Sequence, residues 1–284
     1  MSLDTPISSD LDLSHCTNET KVKLEAFLAL FQTRRPTLRQ LWAALDFVWD
    51  MQGIDNCAPS DMELAAFYSH PVWVLNGIFA EQHTESLENR HAFAKEITSL
   101  RPNRVADFGG GFGTLGRIVG KNLPDATVEI IEPFPSEEAL GLINGYPNVN
   151  ISDKLSGKYD IIISVDVFEH ISDPIELLFK MAQHLDDGGS ILVANHFSPS
   201  IKCHLPCTFH LSDSWHVFMR LAGFTFSSKI RYGEIYRKYD TRDLDRKVRT
   251  VERLSRKTYA WSKKKPYQRI LRRWLLCCIE LFAR

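Results

Sequence analysis

An α/β fold built on a doubly wound parallel sheet is predicted for this 284-residue chain by three observations. Over residues 101–240, short apolar runs alternate with helical patterns, as crossovers between parallel strands require. The run Arg104-Val105-Ala106-Asp107-Phe108 reads as a buried strand that opens into glycines at 109, 111 and 113 and then a helix. The run Tyr159 to Val165 is nearly continuous in apolar residues, as a strand covered on both faces should be.

Before the sheet, residues 1–100 read as a helical extension. Thr37-Leu-Arg-Gln40 and Ser60-Asp-Met-Glu63 both match the capping box, in which a hydroxyl and a carboxyl or amide satisfy free N–H groups at a helix start. The first of these helices carries Leu41, Ala44, Leu45 and Val48 on one face and stops near Gly53. Trp42, Phe47, Trp49, Phe67, Tyr68, Trp73 and Phe79 make the region too apolar for disorder. The segment 71–83 mixes aromatic and polar side chains. It suits either a helix packed on the core or a lid over a small polar molecule.

The first strand and its glycines come next. Counted from Gly109, the glycine that follows the strand's Asp107-Phe108, the spacing departs from G-x-G-x-x-G, because the sixth position is Thr114; a P-loop is excluded, because Gly111 to Gly116 continues into Arg117-Ile118. Thr127 to Glu132 reads as the second strand, with Glu132 at its end nineteen residues past Gly113. Asn148 to Asp153 reads as a short third strand with Asp153 at its exit, although Ser152 fits that place with a one-residue slip. The fourth strand ends at Asp166 and leads into Val167-Phe168-Glu169-His170-Ile171-Ser172-Asp173-Pro174. A helix over 175–185 is stopped by Asp186-Asp187-Gly188-Gly189, and a fifth strand covers 191–194. A helix over 215–224 ends in Ala222-Gly223-Phe224 before the last two strands. Ligands of such sheets sit at the carboxyl ends of the strands, where Asp107, Glu132, Asp153 and Asp166 all fall.

The pattern D-x-G-x-G-x-G, the acid after the second strand, the EH-then-DP segment and the AGF helix end together resemble the class I S-adenosylmethionine-dependent methyltransferases, small-molecule O- and N-methylating types in particular. The resemblance covers roughly residues 104–240 and implies a Rossmann-like doubly wound sheet of seven strands. It also implies S-adenosylmethionine as cofactor, held by Asp107, Gly109, Gly111, Phe112, Gly113, Glu132, Pro133, Asp153 and Asp166. Glu132 is the expected ribose ligand, Asp153 the expected adenine ligand, and the helical extension the expected cover of the acceptor pocket.

The implied reaction is in-line transfer of the sulfonium methyl to an oxygen or nitrogen of a small polar biosynthetic acceptor, such as a sugar or a secondary-metabolite precursor. Positioning alone contributes about 7–11 kcal/mol to such a displacement, and a base is needed only if the acceptor must lose a proton. His170, His196 and His210 are the candidates, each set against a structural role in loop or helix support. The alternative chemistry on the same cofactor is aminocarboxypropyl transfer or cyclisation, releasing methylthioadenosine. A non-catalytic scaffold would have lost the glycines and Glu132, which are present. Nucleic acid is not expected as substrate, because Asp166-Val-Phe-Glu169 stands where base-methylating relatives carry Asn/Asp-Pro-Pro-Tyr/Phe.

Composition fits this picture: 44% hydrophobic and 24% charged residues are ordinary for a soluble globular protein. The first fourteen residues carry acids and no base, unlike a signal or transit peptide, and no window is long and apolar enough to span a membrane, so a cytoplasmic location is expected. Six dispersed cysteines suggest no disulfide framework. Cys203-His204-x-x-Cys207-x-x-His210 lacks the paired spacing of a structural zinc site, so no metal is expected. Residues 237–284 hold sixteen Lys or Arg against five Asp or Glu, a net +11, and the remainder holds eighteen against thirty, a net −12. For that basic C-terminal extension, residues 241–284, three readings stay open: a solvated helical face, docking onto an acidic body, and contact with anionic lipid. The oligomeric state is not readable.

Overall fold

Strands that are apolar on both faces need helices above and below them, and the chain supplies both layers. The computed structural model describes residues 3–263 and 271–272. Five helices come first: α1 (Asn18–Phe31), α2 (Leu38–Met51), α3 (Asp61–Tyr68), α4 (Val72–Gln82) and α5 (Thr84–Ser99). Then follow β1 (Arg104–Phe108), α6 (Thr114–Asn122), β2 (Thr127–Ile131), α7 (Glu137–Ile143), β3 (Val149–Ser152), β4 (Tyr159–Val165), α8 (Pro174–His184) and β5 (Leu185–Ala194). The chain goes on through α9 (Trp215–Leu221), β6 (Phe224–Ile230), β7 (Gly233–Lys238) and α10 (Arg246–Ser262).

The seven strands lie in the order β3-β2-β1-β4-β5-β7-β6. All pairings from β3 to β5 are parallel, and β7 runs antiparallel to both of its neighbours. Winding reverses between β1 and β4, which opens a crevice at their carboxyl ends. The doubly wound sheet predicted from sequence is therefore present. One local expectation is corrected. Residues 186–189 do not form a loop between helix and strand. Leu185 already pairs with Tyr159 and Ser190 with Ile161, so the extra residues bulge within β5, with Gly188 at a positive φ of 75°.

One face of the sheet is covered by α8 and α9, with Val248 and Val251 of α10 joining the same core. The other carries α5 and α6, whose Phe93, Ala94, Ile97, Leu115 and Val119 pack against β1, β2 and β4. Helix α5 thus belongs to the sheet layer, although the sequence division at residue 100 sets it with the extension. Helices α1, α2 and α4 share a separate core with Phe67 of α3 and with Ile201, Cys203 and Leu205, and Phe112 packs against it. Both predicted capping boxes are formed, at Thr37 with Gln40 and at Ser60 with Glu63.

Helix α4 is buried along most of its length, including Gly77. A glycine inside a helix costs about 1 kcal/mol relative to alanine, and its neighbour explains it here. A Cβ on Gly77 would stand 2.4 Å from Phe112 Cγ. Gly77→Ala is therefore expected to destabilise the protein by about 1–3 kcal/mol despite its better helix propensity. Urea unfolding of the variant checks the sign.

The polar residues closing α4 serve structure. Glu81 pairs with Arg117 and accepts from Thr114 Oγ1, Gln82 holds the segment around Ser9 and Asp12, and His83 caps α5. At the other end of the chain, α10 docks onto the body of its own subunit. Arg249 donates to both oxygens of Asp173 at 2.9 and 2.7 Å, and Arg256 donates to the Cys207 carbonyl. The basic stretch around Trp274 to Ile279, on which the lipid reading rests, lies outside the described residues.

Candidate functional site

Three left-handed glycines shape the turn after β1, with φ of 68° at Gly109, 53° at Gly111 and 77° at Gly113. Two of them are also pinned by neighbours. A Cβ would stand 2.5 Å from Val167 Cγ2 at Gly109 and 2.9 Å from Ile130 Cδ1 at Gly113. Gly111 differs, since its nearest such neighbour is the Gly109 carbonyl oxygen at 4.0 Å. It presents bare backbone to the crevice, a surface against which a ligand can lie closely. Its N–H donates to Glu132 Oε2 at 3.0 Å, and the N–H of Phe134 donates to Glu132 Oε1 at 3.2 Å. A carboxylate oxygen accepts more than one hydrogen bond, so Glu132 keeps capacity for a ligand's hydroxyls. Burial lifts its carboxyl above the ordinary range, and the two amides oppose that rise.

The other expected cofactor residues divide. Pro133 and Asp153 are exposed, just beyond the ends of β2 and β3. Phe112 is half-buried, its ring against Gly77. Asp107 is only 3% exposed and lies beneath the turn, where a Cβ on Gly110 would meet its Oδ2 at 2.9 Å. It braces the glycines from below. Burial lifts its carboxyl to about 6, against the opposing effects of the Gly116 amide and the Arg90 charge.

The folded Asp107 carboxyl therefore holds its proton to higher pH than the unfolded one, whose value is near 3.8. Its contribution is complete below about 3.8 and is lost as pH rises through about 6. Asp107→Asn, which cannot ionise, is expected to gain on the parent across that window by about 1.4 kcal/mol per pH unit at most. Urea unfolding of both proteins at pH 4 and pH 7 reads the difference.

Asp166 stands at the end of β4 with a positive φ of 53°, a strained conformation for a residue with a side chain. Tyr232 Oη donates to its Oδ2 at 3.0 Å. Asp166 keeps an exposed surface; partial desolvation raises its carboxyl, while Tyr232, Arg90 and His196 pull it down. Arg90 of α5 bears on Asp107, Asp166 and Tyr232 alike, which puts a cation beside the crevice. Sequence reading missed Arg90 and Tyr232, since each stands among unremarkable charged or polar neighbours.

A second group gathers beyond Asp166. His170 is buried, and its Nδ1 lies 3.1 Å from the Cys203 carbonyl oxygen. Because a carbonyl can only accept, Nδ1 carries the proton and Nε2 keeps its lone pair. Burial, with His204 beside it, pushes the imidazole down to about 3. Around the ring stand His204 at 4.9 Å, Trp73 at 6.2 Å and Tyr68 at 6.3 Å between centroids. Glu169 is fully buried, its Oε1 accepting from the His196 N–H at 2.6 Å, and burial with the nearby Asp166 charge pushes it up to about 8.

The two other histidine candidates stand apart. His196 is exposed, with Nε2 2.8 Å from Ser200 Oγ. His210 is buried against α10, its Nδ1 2.9 Å from Ser255 Oγ and its ring edge-on to Phe218. The Cys203–His210 stretch sends its side chains to separate partners. His204 Nδ1 meets the Ser198 carbonyl, and Cys207 Sγ meets the Ser172 carbonyl. Among the described residues no group of three or more His, Cys, Asp or Glu is arranged to hold a metal ion. No described helix is long and apolar enough to cross a membrane.

Residues 79–246 match the family model described as a methyltransferase domain. The chain belongs to that family. It is an enzyme that uses S-adenosylmethionine, and the residues at its crevice suit that cofactor: bare backbone at Gly111, a carboxylate with acceptor capacity at Glu132 and a cation at Arg90. Among curated proteins, the methyltransferase is 24% identical over 160 residues to the ubiquinone biosynthesis O-methyltransferase of Methylococcus capsulatus, covering 53% of this chain and 67% of that one. It is 28% identical over 127 residues to the trans-aconitate 2-methyltransferase of Deinococcus radiodurans, covering 41% of this chain and 49% of that one. The matches thus span from about half to two thirds of those relatives. An O-methyltransferase family protein from Burkholderia thailandensis has the same fold, with a TM-score of 0.53 at 15% identity over 72% of this chain and 73% of that one.

Proposed function

We propose that the methyltransferase moves the sulfonium methyl to an oxygen of a small acceptor, with His170 Nε2 taking the acceptor's proton. The observation that carries this is the fixed tautomer of a buried, neutral imidazole beside the strand-end crevice. When bound, S-adenosylmethionine supplies the electrophilic methyl group. Glu132 would accept its ribose hydroxyls, the backbone at Gly111 would pack against it, and Asp153 or Ser152 at the β3 exit would face its adenine. Arg90 would face its carboxylate and Asp166 its amino group, an assignment by charge that the sequence patterns did not contain. His196, exposed on the rim, would touch the acceptor's outer part, and His210 would support the packing of α10.

Proteins matched in sequence carry methyl transfer in their names, one of them O-methyl transfer, which favours this chemistry over aminocarboxypropyl transfer. The acceptor would be a biosynthetic intermediate and the location the cytoplasm. Incubation of the purified protein with labelled cofactor and a panel of hydroxylated acceptors is expected to yield methylated product and S-adenosylhomocysteine. Release of methylthioadenosine instead would overturn the assignment.

A further inference from the structure

Four buried side-chain atoms around the proposed base have no hydrogen-bond partner among the described residues: Tyr68 Oη, Trp73 Nε1, Glu169 Oε2 and Asn195 Oδ1. Buried polar atoms are ordinarily satisfied, and each one left alone asks for an explanation. Two of them lie on rings that face His170, and the other two belong to the segments that carry His170 and His196. Tyr68 and Trp73 flank the short link between α3 and α4, with their rings 5.1 Å apart and each about as far again from the His170 imidazole. Glu169 precedes His170, and Asn195 precedes His196, whose N–H anchors Glu169 Oε1. A ligand arriving at His170 would meet the Tyr68 and Trp73 rings, with Glu169 and Asn195 on the segments beside it.

The surrounding charge narrows the ligand. The carboxylates that bear on Tyr68 are Glu169 and Glu132, and Asp166 bears on Glu169. Lys202, in the neighbouring loop, gives its ammonium to Asp50 at 2.5 Å and its amide N–H to Asp46. An indole N–H only donates, a phenol donates and accepts, and Asn195 Oδ1 only accepts. A hydroxyl group, able to do both, matches that set. A carboxylate can only accept, which leaves Asn195 Oδ1 unpaired, and it would bring its negative charge toward Asp166 and Glu132.

We propose that this cluster is the acceptor-recognition site, and that Tyr68, Trp73 and Glu169 select an uncharged, hydroxyl-bearing acceptor over a carboxylate-bearing one. The inference rests on the reading of the chain as an oxygen methyltransferase with His170 at its acceptor end. The three unpaired groups also have no solvent-accessible surface, so the α3–α4 link shifts to admit the acceptor. Free of ligand, these groups lower stability; with it, they find their partners.

The test uses acceptor pairs that differ in charge alone: 3,4-dihydroxybenzyl alcohol with 3,4-dihydroxybenzoate, and glucose with glucuronate. Turnover is read as S-adenosylhomocysteine released, and cofactor-site integrity as calorimetric binding of S-adenosylhomocysteine. The neutral member of a pair is expected to show at least a tenfold higher kcat/KM. The double variant Tyr68→Phe with Trp73→Phe keeps an aromatic ring at each position and removes both donors. It is expected to raise KM for the neutral acceptor about tenfold or more and to leave S-adenosylhomocysteine affinity unchanged.

Faster turnover of the acids, or an unchanged KM in the double variant, overturns the proposal. S-adenosylhomocysteine binding without turnover of any pair also overturns it and leaves the cofactor assignment standing. Failure to bind S-adenosylhomocysteine at all defeats the reading beneath both.

Discussion

Glu132→Ala is expected to weaken S-adenosylhomocysteine binding by about a hundredfold or more, measured by titration calorimetry. Two charge-assisted hydrogen bonds to ribose hydroxyls, at about 1.5–3 kcal/mol each, would be lost, and a loss of about 3 kcal/mol already corresponds to about a hundredfold in Kd. The effect reaches further than the ligand. Glu132 also receives the N–H groups of Gly111 and Phe134, so the truncation frees the backbone that lies against the cofactor. Glu132→Gln separates the two contributions. An amide oxygen can still accept from Gly111, so the turn keeps its shape while the charge is removed. Its affinity should fall between those of the parent and the alanine variant. An alanine variant within threefold of the parent would remove Glu132 from the cofactor site.

What sequence reading made legible follows from what each part needs. A cofactor turn needs positive φ at fixed places, and only glycine meets that need cheaply, so Gly109, Gly111 and Gly113 stand out before any fold is known. Asp107 stands out with them. Its spacing is fixed because it braces the turn from beneath, with 3% of its surface exposed. Capping boxes are local and were equally plain. The acceptor side needs side chains brought together from three separated segments, namely the α3–α4 pair, the turn after β4 and the exit of β5. No spacing rule connects Tyr68 and Trp73 with Glu169 and Asn195. Glu169 was visible as part of the EH segment, yet nothing in its neighbours shows that its carboxyl turns inward and loses solvent. His210 is harder to read. Its place before a helix suits a site residue or a helix support, and the α10 helix that covers it comes from a stretch whose sequence leaves a solvated face, docking and lipid contact all open.

The two halves of the site are mechanically joined, and the joint is Phe112. It belongs to the glycine turn and packs in the core of the helical layer, against Gly77 of α4. The same helix carries Trp73, and α3 before it carries Tyr68. Any shift of the α3–α4 link is thus felt at the glycine turn, the proposed cofactor contact. Sheet-side residues fixed by parallel ladders on both sides, such as Ala106 and Asp107, have no comparable freedom. Motion is assigned to the helical layer because its own core, not the sheet, holds it.

His170→Ala is expected to lower kcat by about 10²–10⁴-fold, the usual contribution of a positioned base, while S-adenosylhomocysteine affinity stays within threefold of the parent. The affinity measurement shows that the crevice has survived the truncation. The pH dependence carries the sharper test. Burial and the neighbouring His204 hold the His170 imidazole down at about 3, so the ring is neutral at every pH above roughly 4. The parent's rate should therefore show no acid limb from this group between pH 5 and 8. An ordinary surface histidine would lose activity through protonation near 6.5. His196→Ala supplies the contrast. That ring is exposed, with one nitrogen 2.8 Å from Ser200 Oγ, and its loss should cost less than tenfold in kcat. If His196→Ala were the more damaging change, proton transfer would belong to the rim of the crevice, and the buried imidazole would hold the Cys203 loop in place.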